Sequence, residues 1–349
     1  MRASYEIYNV FQGETFSGSK TYSKQFPLTG ESWRGIRMCF HLTTTHASED
    51  YPFELAGYYF LKNCVLTADG RQLVQAPGAA LYWLNALARG KAPYHKNVLA
   101  AAATYEYVVT IPFVFPQFNR RAEDFMFDSG AYSNVQLQLT AGTIADVFAT
   151  VSTAAVSCTL DLSIVRTKAG MSMKGKPIGE PYIKAMPQIA SADKLWDIES
   201  SENLKLLAFY ILSGGSAAAP FFQNGGSNGA WGGVDAFDQL FLDDSSLGFV
   251  LNNVPVNHFQ ETRNDLIPYL NGFGAGTHVQ APTLVGLHPH VFTKDGSSYS
   301  AYPTGLPGGK KSRVRLIGNN ITVTNYHDLL LVGARTIRYD PKTGRMIRQ

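Results

Sequence analysis

The chain has 349 residues, enough for one large domain or two of ordinary size, and 45% of them are apolar, which excludes a disordered protein. Charged residues make up only 16% and the net charge is +3, too small to advertise a nucleic-acid groove across the whole surface. No stretch reaches the roughly 18 apolar residues of a spanning helix, and Met1-Arg2-Ala3-Ser4-Tyr5-Glu6 lacks the apolar core of a signal peptide, so the chain reads as soluble and not secreted.

Aromatic residues reach 12%, and Gly (32) and Pro (17) are plentiful, a composition of strands and turns rather than helices. Low charge density also suits a protein that hides surface in an assembly, because interface cores are depleted of charge. Cys39, Cys64 and Cys158 are an odd number in apolar or strand-like surroundings. We read them as reduced thiols of a chain made in a cytosol.

Residues 1–20 read as an N-terminal arm, polar and aromatic from Tyr5 to Phe16. From residue 21 to 168, period-two alternation recurs. Ile36, Met38, Phe40 and Leu42 alternate with Arg37, Cys39 and His41. Phe60 to Leu66, the turn Ala68-Asp69-Gly70, and Gln72 to Gln75 predict a hairpin. A helix is expected from about Ala79 to Ala88, with Leu81, Leu84 and Ala88 on one face and Gly90 as its cap. Tyr107 to Phe115 forms the next strand, where Pro112 argues for an edge or a bulge. Val135, Leu137 and Leu139 alternate with Gln136 and Gln138, giving one dry and one wet face, and Val156 to Ile164 closes the series.

Residues 169–200, rich in Lys, Gly, Pro and Met, read as a linker between domains. The same order of parts then repeats over residues 201–338. Leu204 to Leu212 corresponds to the strand around Phe40. Phe237 to Leu242, the turn at Asp243-Asp244-Ser245-Ser246, and Leu247 to Leu251 correspond to the first hairpin. A helix follows from His258 to Leu270, then strands at Leu284–Phe292, Arg313–Leu316 and Leu329–Ile337. The last of these ends in basic Arg338, as Leu160–Val165 ends in Arg166. The order and spacing imply an internal duplication with a period of about 165 to 170 residues. Ser213 to Gly233 is a Gly/Ser/Ala-rich insertion carrying Phe221, Phe222 and Trp231. Residues 339–349 form a basic tail that follows Arg335 and Arg338 with Lys342, Arg345 and Arg348.

Chemistry is hard to find. His288-Pro289-His290 has a His-x-His spacing, but the nearby Glu and third His of a jelly-roll metal site are missing, and a strand edge explains both histidines. Gly305 to Ser312 resembles a phosphate loop but puts Lys311 at the hydroxyl position and precedes a strand. Glu123, Asp124, Asp128, Asp243 and Asp244 could supply paired carboxylates for glycan cleavage, yet all lie in contexts that favour Asp for turns. We therefore assign no catalytic, cofactor or metal residues and no small-molecule substrate. The expected fold is all-β: two tandem eight-stranded jelly-roll barrels with one short helix per barrel.

Two such barrels, each with a helix after an early hairpin, resemble the double jelly-roll major capsid proteins of tailless, membrane-containing bacteriophages of the corticovirus and finnlakevirus type. Tyr107-Val108-Val109-Thr110-Ile111-Pro112-Phe113, then Glu123-Asp124-Phe125-Met126-Phe127, then Asn134 to Leu139 carry most of the likeness. The resemblance implies a homotrimer whose six barrels make a pseudo-hexagonal tile of an icosahedral shell, assembled in the host cytoplasm and located in the virion. It implies as partners neighbouring capsomers, penton and minor capsid proteins, and an internal lipid membrane met by the termini, with no nucleic-acid sequence recognised. The rival expectation is a double jelly-roll glycan-binding protein or glycan-active enzyme, with Trp196 or Trp231 as stacking platforms.

Overall fold

The computed structural model describes residues 5–16, 21–28, 30–45, 56–89, 93, 95–96, 102–113, 127–148, 155–167, 178–186, 193–197, 204–213, 237–244, 249–255, 287–291, 302–303, 305–306, 310–311, 313–318, 327–339 and 346–347. The first half contains β1 (Tyr5–Thr15), β2 (Thr21–Gln25), β3 (Ser32–Thr45), α1 (Ala56–Phe60), β4 (Leu61–Ala68), β5 (Arg71–Ala76), α2 (Gly78–Arg89), β6 (His95–Lys96), β7 (Ala102–Pro112), β8 (Phe127–Asp128), β9 (Val135–Ala141) and β10 (Ala155–Thr167). Leaving aside the two-residue β6 and β8, eight strands remain. The first, eighth, third and sixth lie side by side as β1-β10-β3-β7, and the second, seventh, fourth and fifth as β2-β9-β4-β5. That interleaved order is a jelly roll.

The second half repeats it. Its elements are β11 (Ile178–Met186), β12 (Asp193–Asp197), β13 (Leu204–Ser213), β14 (Phe237–Asp244), β15 (Phe249–Pro255), β16 (Leu287–Val291), β17 (Tyr302–Pro303), β18 (Gly305–Leu306), β19 (Lys310–Lys311), β20 (Arg313–Gly318), β21 (His327–Tyr339) and β22 (Met346–Ile347). The corresponding sheets run β11-β21-β13-β16 and β12-β20-β14-β15. Every strand correspondence expected from sequence order falls on the same position of the two barrels.

The first core follows from the alternation. Ile36, Met38, Phe40 and Leu42 on β3 face Val135, Leu137 and Leu139 on β9, all at most 1% exposed, while Gln136 and Gln138 stay half-buried on the other face. Trp33 is fully buried between Phe26 and Phe127, and Phe127 stacks on both Phe113 and Tyr132. The β4–β5 hairpin turns through Asp69 and Gly70, both with positive φ (47° and 78°), the conformation that makes Asp-Gly a tight hairpin turn. The Asp69 carboxylate locks it by accepting from the backbone N–H groups of Ser133 and Asn134.

The helices cover an edge. Among the described residues, β6 pairs with Glu106 and Tyr107 of β7, and the helices lie against the carbonyls further along that strand. Tyr58 on α1 donates to the carbonyl of Val108 at 3.2 Å, and Asn85 on α2 donates to that of Thr110 at 2.6 Å. Gly57 and Gly78 let these helices approach closely: a Cβ on Gly57 would overlap the ring of Tyr107, and one on Gly78 would strike the carbonyl of Tyr58.

Several segments differ from expectation. Tyr5–Thr15, read as an arm, is β1, paired along its length with β10. The linker of residues 169–200 contains β11 and β12, the first two strands of the second barrel. In both places the alternation is masked, by bulges in β1 around Val10 and Gly13 and by Pro181 inside β11. The first barrel has the additional short helix α1, and β4 starts after it. The C-terminal residues Met346 and Ile347 fold back on β21 opposite Tyr339 and Arg338. The expected helix at His258–Leu270 lies outside the described residues.

Candidate functional site

The barrels are joined by their sheets. β11, the first strand of the second barrel, pairs in parallel with β5, the fifth strand of the first, through Ile183↔Val74 and Lys184↔Gln75. One ten-stranded sheet thus runs from β16 through the seam to β2. Val74 and Ile183 are at most 1% exposed, and Leu330 and Val332 beside them on β21 are fully buried in the same apolar cluster as the first core.

A buried carboxylate sits in the seam. Glu180 on β11 is opposite Arg335 on β21 in the antiparallel register, with 3.9 Å between carboxylate and guanidinium. Arg71, the first residue of β5, reaches the same carboxylate at 3.0 Å, and Tyr132 donates its hydroxyl to it at 2.6 Å. The Arg335 guanidinium also lies over the ring of Tyr182, 4.8 Å from its centroid. Two cations and a hydroxyl satisfy an anion that would otherwise be costly so far from water. Three of these residues belong to the second barrel and two to the first, so the cluster fixes one barrel to the other.

The same motif occurs in the first barrel. Glu6 on β1 is opposite Arg166 on β10, bonded at 2.8 Å, and Arg166 lies over Tyr8 at 4.1 Å. Glu-x-Tyr on a first strand facing Arg on an eighth strand is therefore a duplicated device, Glu6/Tyr8/Arg166 and Glu180/Tyr182/Arg335. Sequence reading matched Arg166 with Arg338; the register matches it with Arg335. Comparing Glu6-Ile7-Tyr8 with Glu180-Pro181-Tyr182 reveals the pair, although both segments lie outside the barrel bounds expected from sequence.

The residues considered for chemistry are scattered. Asp128 is 3% exposed, and its carboxylate accepts from the N–H of Gly130 at 3.0 Å, capping a single 3-10 turn. Asp243 and Asp244 end β14 at its hairpin, opposite Val250 and Phe249. Glu123, Asp124 and Trp231 lie outside the described residues. His288 and His290 stand on β16 opposite Ile211 and Phe209 of β13, and β16 is the last strand of that sheet among the described residues. Gly305–Leu306 and Lys310–Lys311 form a small hairpin running into strand β20. Trp196 lies on β12 opposite Val314. Among the described residues, no group of three or more His, Cys, Asp or Glu is gathered to hold a metal ion, and no helix is long and apolar enough to cross a membrane. Cys39, Cys64 and Cys158 are free thiols. Burial raises all three pKa values, helped at Cys39 by the charge of Asp161.

No family model matches the sequence, and no curated protein matches it. Solved structures do. The STIV MCP, from Sulfolobus Turreted Icosahedral Virus, superposes with a TM-score of 0.63 at 9% identity, over 95% of this chain and 97% of that one. Major capsid protein P2 from bacteriophage PM2 gives 0.52 at 11% identity, over 98% and 100%. The Faustovirus major capsid protein gives 0.54 at 8% identity, over 96% and 90%. The chain has the double jelly-roll fold of these capsid proteins, matched over 95% or more of its length.

Proposed function

We propose that this chain is a viral major capsid protein, a structural tile that self-assembles as a homotrimer of double barrels into an icosahedral shell and turns over no substrate. The observation that carries the reading is the pair of complete barrels welded through one sheet, matched end to end by capsid proteins. Two barrels joined through one sheet, with other strands ending their sheets among the described residues, suit an assembly built by repetition. The carboxylate considered for catalysis that the structure describes in most detail, Asp128, is engaged as a turn cap, which removes support from a glycan-active reading.

Neighbouring capsomers are then the main partners, with penton and minor capsid proteins where the lattice changes. Lys342, Arg345 and Arg348 near the C-terminus are our candidates for contact with the phosphates of an internal membrane. Free cysteines accord with assembly in a reducing host cytoplasm.

Light scattering on the purified protein tests this. A species of about 115 kDa, three times the 38.2 kDa chain, or a larger shell is expected. A protein that stays monomeric at high concentration overturns the reading.

A further inference from the structure

We propose that the junction joining the two barrels inside the chain is repeated between chains: β1 of one copy pairs in parallel with β15 of the next, with Asn9 opposite Asn252. The proposal rests on the self-assembly reading above and specifies its contact.

The register follows from the duplication. Inside the chain, the fifth strand of the first barrel meets the first strand of the second. What remains is the complementary pair: β1 is the first strand of the first barrel, and β15 is the fifth strand of the second. Among the described residues, each lies at the end of its sheet. Ile183, which pairs with Val74 of β5, stands three residues beyond Glu180; the same step beyond Glu6 reaches Asn9, just before the bulge at Val10. On the other side, the two hairpins share a register shift at one position. Leu66 is opposite Val74 and Leu242 opposite Asn252, and the shift follows each leucine. Val74 and Gln75 therefore correspond to Asn252 and Asn253.

Burial shows which copy of the motif lacks its cover. In the second barrel the Glu180 and Arg335 side chains are 2% and 3% exposed, because the first barrel lies against them. In the first barrel Glu6 and Arg166 are 37% and 14% exposed. Beside them Ile7 is 57% exposed, an aliphatic side chain on a strand that ends its sheet among the described residues. The uncovered motif is what a unit in a ring presents before its neighbour arrives.

The two junctions differ in polarity. Ile183 and Val332 face the seam inside the chain, whereas Asn9 and Ser163 hold the matching register positions on β1 and β10. The contact between chains is thus wetter and rests more on backbone pairing. That suits an interface that forms between chains already folded and soluble. A head-to-tail contact closes when its rotation divides the circle. Three chains would contribute three internal and three external copies of the junction, completing a ring of six barrels.

The test is an Asn9→Cys, Asn252→Cys double variant of the full chain, oxidised and run on a denaturing gel without reductant. Neighbouring strands lie about 4.8 Å apart, within the roughly 4.4–6.8 Å that a disulfide spans between Cα atoms. Covalent dimers and closed trimers that disappear on reduction, and are absent from both single variants, are expected. A species of about 115 kDa by light scattering, three chains of 38.2 kDa, that shows no cross-link would overturn this junction and leave the capsid reading standing. A monomeric mass would overturn both. Independently, Ile7→Asp should raise the concentration at which the trimer dissociates by at least about tenfold while leaving the melting temperature of the monomer unchanged. An unchanged dissociation concentration would count against the junction.

Discussion

One carboxylate in two settings shows how far context governs an ion pair. Glu180 and Glu6 have the same neighbours in kind, an opposed Arg and a Tyr two residues on, but Glu180 is sealed in the seam while Glu6 faces solvent. Removing one partner of a buried pair strands the other charge, so Glu180→Ala should destabilise the protein by about 3–5 kcal/mol. Glu6→Ala in the isolated chain should cost at most about 1 kcal/mol, because Glu6 is partly exposed and Arg166 keeps a second carboxylate, Glu31, at 3.6 Å. Denaturant titrations of the two variants measure the difference directly. Equal effects would mean that the seam is hydrated.

At the level of elements, the helices matter less for what they bury than for the strand edge they finish. Asn85 sits 1% exposed inside α2 and donates from one amide to Leu81 of its own helix and to Thr110 of β7, both at 2.6 Å. Asn85→Ala leaves the Thr110 carbonyl without that donor, and a loss of about 1–3 kcal/mol in chemical denaturation is expected. Such an arrangement is invisible in sequence, where Asn85 is a polar residue interrupting an apolar helix face. The alternation of Ile36 to Leu42 and Val135 to Leu139 was legible because those strands are buried on one face only. β1 and β11 were not. An edge strand with exposed Ile7 and Asn9 carries no clean dry face, and Pro181 reads as a strand breaker although it lies in a paired position. The parallel contact of β5 with β11 spans two residue pairs, too few to leave a pattern. The candidate site was missed for the same reason, since Glu6 and Glu180 both fell in segments read as lying outside the barrels.

Across the whole molecule, the continuous sheet couples the two halves. The barrels share a ladder and a buried charge cluster. Calorimetry should therefore record a single unfolding transition whose van't Hoff and calorimetric enthalpies agree. Two resolved transitions would show that the barrels unfold independently and that the seam is weaker than its burial implies.

The parallel sense of that ladder has a geometric consequence. Successive strands of a jelly roll run alternately up and down, so the first and fifth strands point the same way within a barrel. Pairing the fifth strand of one barrel in parallel with the first strand of the next sets both barrels upright in the same sense. An antiparallel ladder would have inverted the second barrel and made the two ends of the brick equivalent. As built, the turns that follow the odd-numbered strands leave both barrels at one end and the turns that follow the even-numbered strands leave at the other. The brick has a top and a bottom, and any layer made by repeating the junction inherits a polarity. A closed container needs that property to distinguish its outside from its inside.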